Sequence, residues 1–522
     1  MNLTHCPESK YCFALDENTV RLRLAVYKDE LPDKVTVLYG GKYDFATVRR
    51  SAEAQRECED GLFVWFSATI KLYDRRLVYL FEIERNGKIK YFSEDGLTDE
   101  YDFDMNYYNC FQYAYVNGCD VMPCVEWMRQ AVFYQIFVDR FNIGKKKDTG
   151  YINLKWGDRP TPKSFAGGDI AGITAKLEYI RSLGVNAIYL TPVFSSVSNH
   201  KYDISDYYEI DKNFGDKNDL KRLIDRAHSL GMRVVLDAVF NHCSDRLAQF
   251  ADVREKGRKS KYADWFIING DNPLDYECFA ACRYMPKFNT SNAEVREYLK
   301  GIATYWIREF DIDGWRLDVS DEVSHEFWRE FRKAVKQEKT DCVLIGENWH
   351  DANPYLHGDQ FDSIMNYAFT KACLDFYAFG KLTAEELAHR LNEILMRNID
   401  TVNDMMLNLL DSHDTHRFLT RVDGNVNRLM SALCVTFFFR GAPCVYYGTE
   451  NAMEGGYDPD CRRTFDWAEE GRDNPVKSLI KKLSAIKRDF TREAVIYSRG
   501  GKLIIERGSR VLTADKDGFE IK

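Results

Sequence analysis

Four short segments of the chain carry acids, with a cationic or imidazole side chain in three of them and a tryptophan in the other: DAVFNH (237–242), GWRLDV (314–319), IGENW (345–349) and LLDSHD (409–414). Asp318, Glu347 and Asp414 supply one acid from each of the last three; the first adds Asp237 with Asn241 and His242. Arg316 stands two residues before Asp318, and His413 immediately before Asp414. Each segment closes an apolar run that reads as a strand. Acids gathered from several strand ends, with cationic or neutral partners beside them, suit cleavage of a glycosidic bond, where one carboxylate attacks and another carboxyl donates a proton. Residues two apart on a strand point the same way, so Arg316 faces Asp318 and should favour its ionised form, as a nucleophile requires. Glu347 lies near Trp349, and an aromatic wall should raise its pKa toward that of an acid catalyst. Asp414 with His413 is placed to hold sugar hydroxyls; Asp237 and Asn241 read as supports. A single acid at a strand end is commonly a helix cap, and Arg316 with Asp318 is compatible with a plain ion pair. Four such clusters at four strand ends are not explained that way.

These segments need a scaffold that brings distant strand ends together. From about residue 131 the pattern alternates strand, loop and helix. Strands are expected at AVFYQIF, NAIYLTPV, RVVLDAVF, DIDGWRLDV, CVLIGEN, SIMNYAF, MMLNLLDS and CVYYGTE. Intervening helices such as AKLEYIRSLG and LKRLIDRAHSLG stop at Gly184 and Gly231, and Ser291 to Glu294 reads as a capping box opening another. Eight strands alternating with helices predict an α/β fold, a (β/α)8 barrel, with the acids on strands three, four, five and seven at the rim where barrel sites form. The long connection after the third strand, 243–290, predicts a protruding subdomain. Residues 1–120 read instead as a separate antiparallel β-sandwich: Val20, Leu22, Leu24 and Val26 alternate with Arg21, Arg23 and Ala25, one apolar face and one polar, and Asn86-Gly87 marks a hairpin. The barrel spans 121–490, and 491–522 holds a short β region.

Composition narrows the partners. Apolar residues make up 45% of the 522, enough for a large core. A net charge of −9, with no basic run beyond 145–147, argues against nucleic acid. No apolar stretch is long enough for a spanning helix, and the N-terminus lacks the pattern of a signal peptide, so a cytoplasmic location is expected. The 14 cysteines are scattered, with Cys119 and Cys124, and Cys278 and Cys282, only loosely paired, and read as free thiols.

At these segments the chain resembles the α-amylase family, in its cyclomaltodextrinase, neopullulanase and maltogenic amylase subgroup. YQIFVDRF (134–141), WGDRPTPKSFAGGD (156–169), HKYDISDYYEID (200–211), MPKFN (285–289) and DPDCRRTFDW (458–467) strengthen it. The resemblance implies Asp318 as nucleophile, Glu347 as acid/base and Asp414 as transition-state stabiliser, with substrate held by Tyr202, His242, Arg316 and His413. It implies Asp458 and Arg462 at the next sugar and Trp349 on the acceptor side, where Phe288 adds apolar surface. It implies α-glucan oligosaccharides and cyclodextrins as substrates, with transfer to an acceptor sugar or an inactive glucan-binding scaffold as alternatives. A carbohydrate-binding-module-like N-domain covering the partner's cleft in a homodimer also follows. Relatives often hold a structural calcium near the first strand; here three lysines in NIGKKKDTG (142–150) oppose it, leaving Asn142, Asp148, Gly167 and Asp169 from the pattern, and no cofactor is expected to be required. The C-terminal region is shorter than the eight-stranded tail of such relatives.

Overall fold

The structure, a computed structural model, describes residues 1–144, 150–270, 272 and 275–522. Eight short strands form the barrel: β1 (Phe133–Ile136), β2 (Ala187–Leu190), β3 (Arg233–Ala238), β4 (Gly314–Leu317), β5 (Val343–Gly346), β6 (Ser363–Ile364), β7 (Leu407–Leu409) and β8 (Ala442–Tyr446). Each of the eight expected runs contains a strand, but two are in part α-helical. In 363–369 only Ser363–Ile364 is a strand and a helix begins at Tyr367; in 405–412 the strand is Leu407–Leu409, with Met405 ending the preceding helix. The strands are parallel in the order β6-β5-β4-β3-β2-β1-β8-β7, and a parallel bridge from Met365 to Leu407 closes the ring. Nearly every strand residue is buried, because helices cover the outside and side chains fill the inside. Register sets the site: Asp237 on β3 pairs directly with Arg316 on β4, so their side chains leave the sheet side by side.

The helices follow local signals. Lys217–Ser229 starts at a capping box on Asp216 and ends before Gly231 at φ +71°. The helix Ala293–Phe310 is capped by Asn292, not Ser291: the Asn292 amide oxygen accepts from Glu294 N (2.8 Å) and Val295 N (3.3 Å). The 243–290 connection forms the expected excursion, a helix at Ala248–Lys256 and a set of isolated antiparallel bridges, among them His242 with Lys287.

The N-terminal region is two packed antiparallel sheets, with Asn86 and Gly87 both at positive φ in the hairpin turn. It differs from expectation in one respect: the polar face of Thr19–Tyr27 is buried too. Arg23 is fully buried, its guanidinium donating to Asp400 Oδ1 (2.7 Å) and to the carbonyl of Asn398 (2.9 Å), with Glu57 at 3.4 Å. Ala25 and Trp65 join the barrel's own core, so the sandwich is docked rather than separate. At the other end a four-stranded antiparallel sheet, from Val495–Arg499 to Phe519–Ile521, sends Leu503, Ile505 and Leu512 into the same core.

Candidate active site

The rim encloses a cleft of about 770 Å³ lined by Tyr202, His242, Asp318, Glu347, Trp349, Asp414, Asp458 and Arg462. Its hub is Arg316, buried at the end of β4. Nη1 meets Asp318 Oδ1 at 2.7 Å and Asp237 Oδ2 at 3.1 Å; Nη2 meets Glu347 Oε2 at 2.9 Å and lies 3.8 Å from Asp414 Oδ2. One guanidinium thus ties together acids from β3, β4, β5 and the segment after β7. Val319, next to Asp318, takes a left-handed conformation (φ +46°) rare for a β-branched residue, and its N–H donates to Glu347 Oε2 at 2.9 Å.

A second set of bonds fixes the neutral side chains. Tyr202 Oη lies 3.0 Å from Asp237 Oδ2 and 2.5 Å from His413 Nε2, and the Tyr202 and His413 rings are nearly parallel. His413 Nε2 is 3.2 Å from Asp414 Oδ2, and Gln135 Nε2 is 2.7 Å from His413 Nδ1. Arg462 reaches the Asp414 carboxylate at 3.4 Å and Asp458 at 2.8 Å, and its Nε donates to the His413 carbonyl at 2.8 Å. His242 stacks on Phe279, and its buried Nε2 has no partner among the described residues, leaving that atom for a hydroxyl in the cleft. Asn241 anchors the floor of the excursion, accepting from Lys287 Nζ at its side chain and from Phe288 N at its carbonyl.

Burial dominates the electrostatics. It pushes Asp318 well above the ordinary carboxylate range against the pull of Arg316; the expectation of a lowered value is therefore overturned, although Arg316 acts in the expected direction. Burial also raises Glu347, Asp414 and, to about 6, Asp237. Four carboxyls around one guanidinium titrate as a group, and proton placement belongs to the set rather than to one residue. The imidazoles move the other way: burial lowers His242 and His200 to about 3 and, with Arg462 and Arg316 nearby, drives His413 well below its ordinary value, so all three are neutral at pH 7.

The expected site residues from Tyr202 to Arg462 meet in this cleft, with Asp237 and Asn241 beneath it, but two roles change. Trp349 is 48% exposed, lies flat on Tyr367 at 3.7 Å, and its indole N–H points at Glu347 Oε1 (3.2 Å). It therefore stabilises the carboxylate and lowers Glu347, while the raising comes from burial. Phe288 is 1% exposed and stacks on Phe266, so it belongs to the core and offers nothing to an acceptor. The sequence reading missed Gln135, Tyr189 (2.6 Å from Asp237 Oδ2), His200 and Tyr367. Only Gln135 carried a signal, a polar residue inside the apolar run FYQI.

The α-amylase catalytic-domain model matches residues 135–503, and the N-terminal Ig-like domain model of α-amylases matches 1–117. The chain belongs to the α-amylase family. It is 43% identical over 495 residues to the cyclomaltodextrinase of Thermoanaerobacter pseudethanolicus, an alignment covering 93% of this chain and 85% of that protein. It is 40% identical over 496 residues to the intracellular maltogenic amylase of Bacillus subtilis, with 93% and 83% covered. A solved cyclomaltodextrinase structure superposes with a TM-score of 0.91 at 36% identity, covering 99% of this chain and 90% of that one.

The calcium position of such amylases can be tested on the residues present. Asp169 caps the helix Ile170–Ala175, its Oδ1 accepting from Gly172 N (2.6 Å) and Gly144 N (3.1 Å). Asn142 turns its amide N–H toward the Gly172 carbonyl at 3.1 Å, and Gly167, at φ +90°, donates its N–H to Asp139 Oδ1. Asp148 and the three lysines lie outside the described residues. Calcium takes six to eight oxygens; among the described residues this corner turns backbone N–H groups onto the carboxylates of both Asp169 and Asp139 and does not fit the ion.

Proposed function

We propose that this α-amylase-type glycoside hydrolase cleaves α-1,4 links of cyclomaltodextrins, maltooligosaccharides, pullulan and starch by double displacement with retention. The carrying observation is that Asp318 and Glu347 bond adjacent nitrogens of the Arg316 guanidinium at 2.7 and 2.9 Å. That arrangement suits the roughly 5 Å carboxyl separation of retaining enzymes better than the roughly 6.5–9.5 Å that an inverting pair needs for its water. In the reactive state the charge sits on Asp318 and the proton on Glu347. Asp318 attacks the anomeric carbon while Glu347 passes its proton to the leaving oxygen, giving a glycosyl ester on Asp318. Glu347, now a carboxylate, takes a proton from water; the water oxygen attacks the same carbon and frees Asp318. Asp414, with Arg462 and neutral His413, holds ring hydroxyls of the flattened sugar, His242 donates to another from Nε2, since its Nδ1 accepts from the Asn241 amide, and Asp458 with Arg462 meets the next unit.

Transfer to an acceptor sugar is the second reading, supported by the exposed Trp349 on Tyr367 beside Glu347: a flat aromatic surface there favours a sugar over water for the second step. An inactive scaffold is disfavoured because the three acids and their arginine are all present. We further propose a cytoplasmic enzyme, a reading supported by 14 unpaired thiols and by the absence, among the described residues, of a helix long and apolar enough to cross a membrane. Its homodimer would use the N-terminal sheets, where Tyr43, Tyr107 and Tyr108 are 81, 58 and 69% exposed. Initial rates on β-cyclodextrin, pullulan and soluble starch, with products resolved and Asp318→Asn as control, test the assignment. Fast ring opening that vanishes in the variant supports it; rings left intact while starch is cut would remove the cyclomaltodextrinase reading.

A further inference from the structure

We infer that Gln135 is a positioning residue whose side-chain amide holds His413 in the tautomer with its proton on Nε2, so that the imidazole N–H faces Tyr202 and Asp414. The inference rests on the catalytic reading above for its kinetic consequence, though not for its geometry. Tyr202 Oη has one proton to give. It lies 3.0 Å from Asp237 Oδ2, a carboxylate oxygen that only accepts and that also takes Tyr189 Oη and Arg316 Nη1. The Tyr202 proton therefore goes to Asp237. At 2.5 Å from His413 Nε2, Tyr202 Oη must accept, and the hydrogen is on Nε2.

The ring is neutral, because burial disfavours its charge and the guanidiniums of Arg462, from the segment after β8, and Arg316, from β4, oppose a second proton, while Asp414 favours one. His200, from the loop after β2, is itself neutral and adds no charge. Its other ring atom, Nδ1, is thus bare, buried and in need of a donor. Gln135 Nε2, rising from β1, supplies it at 2.7 Å. The opposite end of the same amide gives the second argument. Gln135 is fully buried, yet among the described residues its Oε1 has no hydrogen-bond partner. A glutamine kept for the fold would use both ends; among the described residues the side-chain hydrogen bond of this one goes to His413 alone. Fixing one tautomer keeps a donor rather than a lone pair beside the Asp414 carboxylate, which a neutral imidazole free to switch would not guarantee.

The test is a long-range proton–nitrogen spectrum of the histidine rings in the full-length chain, with His413 assigned by its absence in a His413→Asn spectrum. The expected result at pH 7 is protonated Nε2 and unprotonated, hydrogen-bonded Nδ1. Gln135→Met removes the donor and the unpartnered oxygen together. It should leave thermal stability unchanged or higher, KM for β-cyclodextrin within about twofold, and kcat lower by about tenfold. Gln135→Glu should draw a proton to Nδ1 and shift the pH profile, a change that a packing role would not produce. A wild-type spectrum with Nδ1 protonated would overturn the inference. So would Gln135→Met with unchanged kcat and ring state. If the chain proves inactive on glucans the functional reading fails, and the spectrum still decides the tautomer.

Discussion

Asp400 joins the N-terminal sheets to the barrel, and replacing it with Asn tests whether that junction is held by charge. Its carboxylate accepts from Arg23 Nη2 at 2.7 Å and Arg440 Nη1 at 2.8 Å, with Arg21 Nε at 3.4 Å. Arg23 is fully buried and Arg440 nearly so. Asn preserves shape and removes the charge, leaving two buried guanidiniums short of a counter-ion. Breaking a buried pair from one side costs about 3–5 kcal/mol. Arg440 keeps Asp404 at 2.7 Å and Arg23 keeps Glu57 at 3.4 Å, which places the expected loss near the lower figure, about 3 kcal/mol. Burial opposes the Asp400 charge, but Arg440, Arg23 and Arg21 outweigh it and hold the carboxyl far below its ordinary value. A depressed acid stabilises the fold above its unfolded pKa of about 3.9 and loses that contribution as pH falls through the folded value. The gap between wild type and Asp400→Asn should therefore be full at pH 7 and shrink in strong acid. Urea unfolding followed by tryptophan fluorescence measures it, with Asp225→Asn as control; that residue pairs with Lys221 on an exposed helix face and should cost under about 0.5 kcal/mol. A loss below about 1 kcal/mol at pH 7, or one that persists unchanged into strong acid, would refute the charge argument.

Further outcomes follow from the cleft. Asp318→Asn should abolish turnover yet stabilise the fold by roughly 1–2 kcal/mol at pH 7, since it removes one of four carboxyls crowded on Arg316; calorimetry checks the sign. Because the Asp318 carboxyl is raised and must be ionised to attack, kcat/KM should fall with decreasing pH well above the ordinary carboxylate value of about 4. Trp349→Ala removes an N–H that favours the Glu347 carboxylate, so the alkaline limb should move to higher pH, and the share of transfer products should drop in the same chromatograms. Chelation of calcium should leave the unfolding temperature unchanged, in keeping with an Asp169 carboxylate already engaged by backbone N–H groups.

The barrel and its acids could be read from the chain because both are written locally. A strand buried on both faces is an apolar run, and an acid just past such a run sits at the rim wherever the strand lies in the ring. Asp318, Glu347 and Asp414 are cases of that rule, and Arg316 faces Asp318 through the two-residue strand period alone. What surrounds each group was set elsewhere. The alternation around Arg23 suggested a solvent face, but its partner Asp400 is 377 residues away and turns that face into an interface. Trp349 is two residues from Glu347, yet the direction of its effect depends on Tyr367 turning the indole so that its N–H meets the carboxylate. Phe288 sits in a motif shared with cleft residues and points into the core. The sequence by itself determined which residues stand at the rim; the tertiary structure decided their protonation and partners, because desolvation is a property of the packed surroundings and not of the neighbours along the chain.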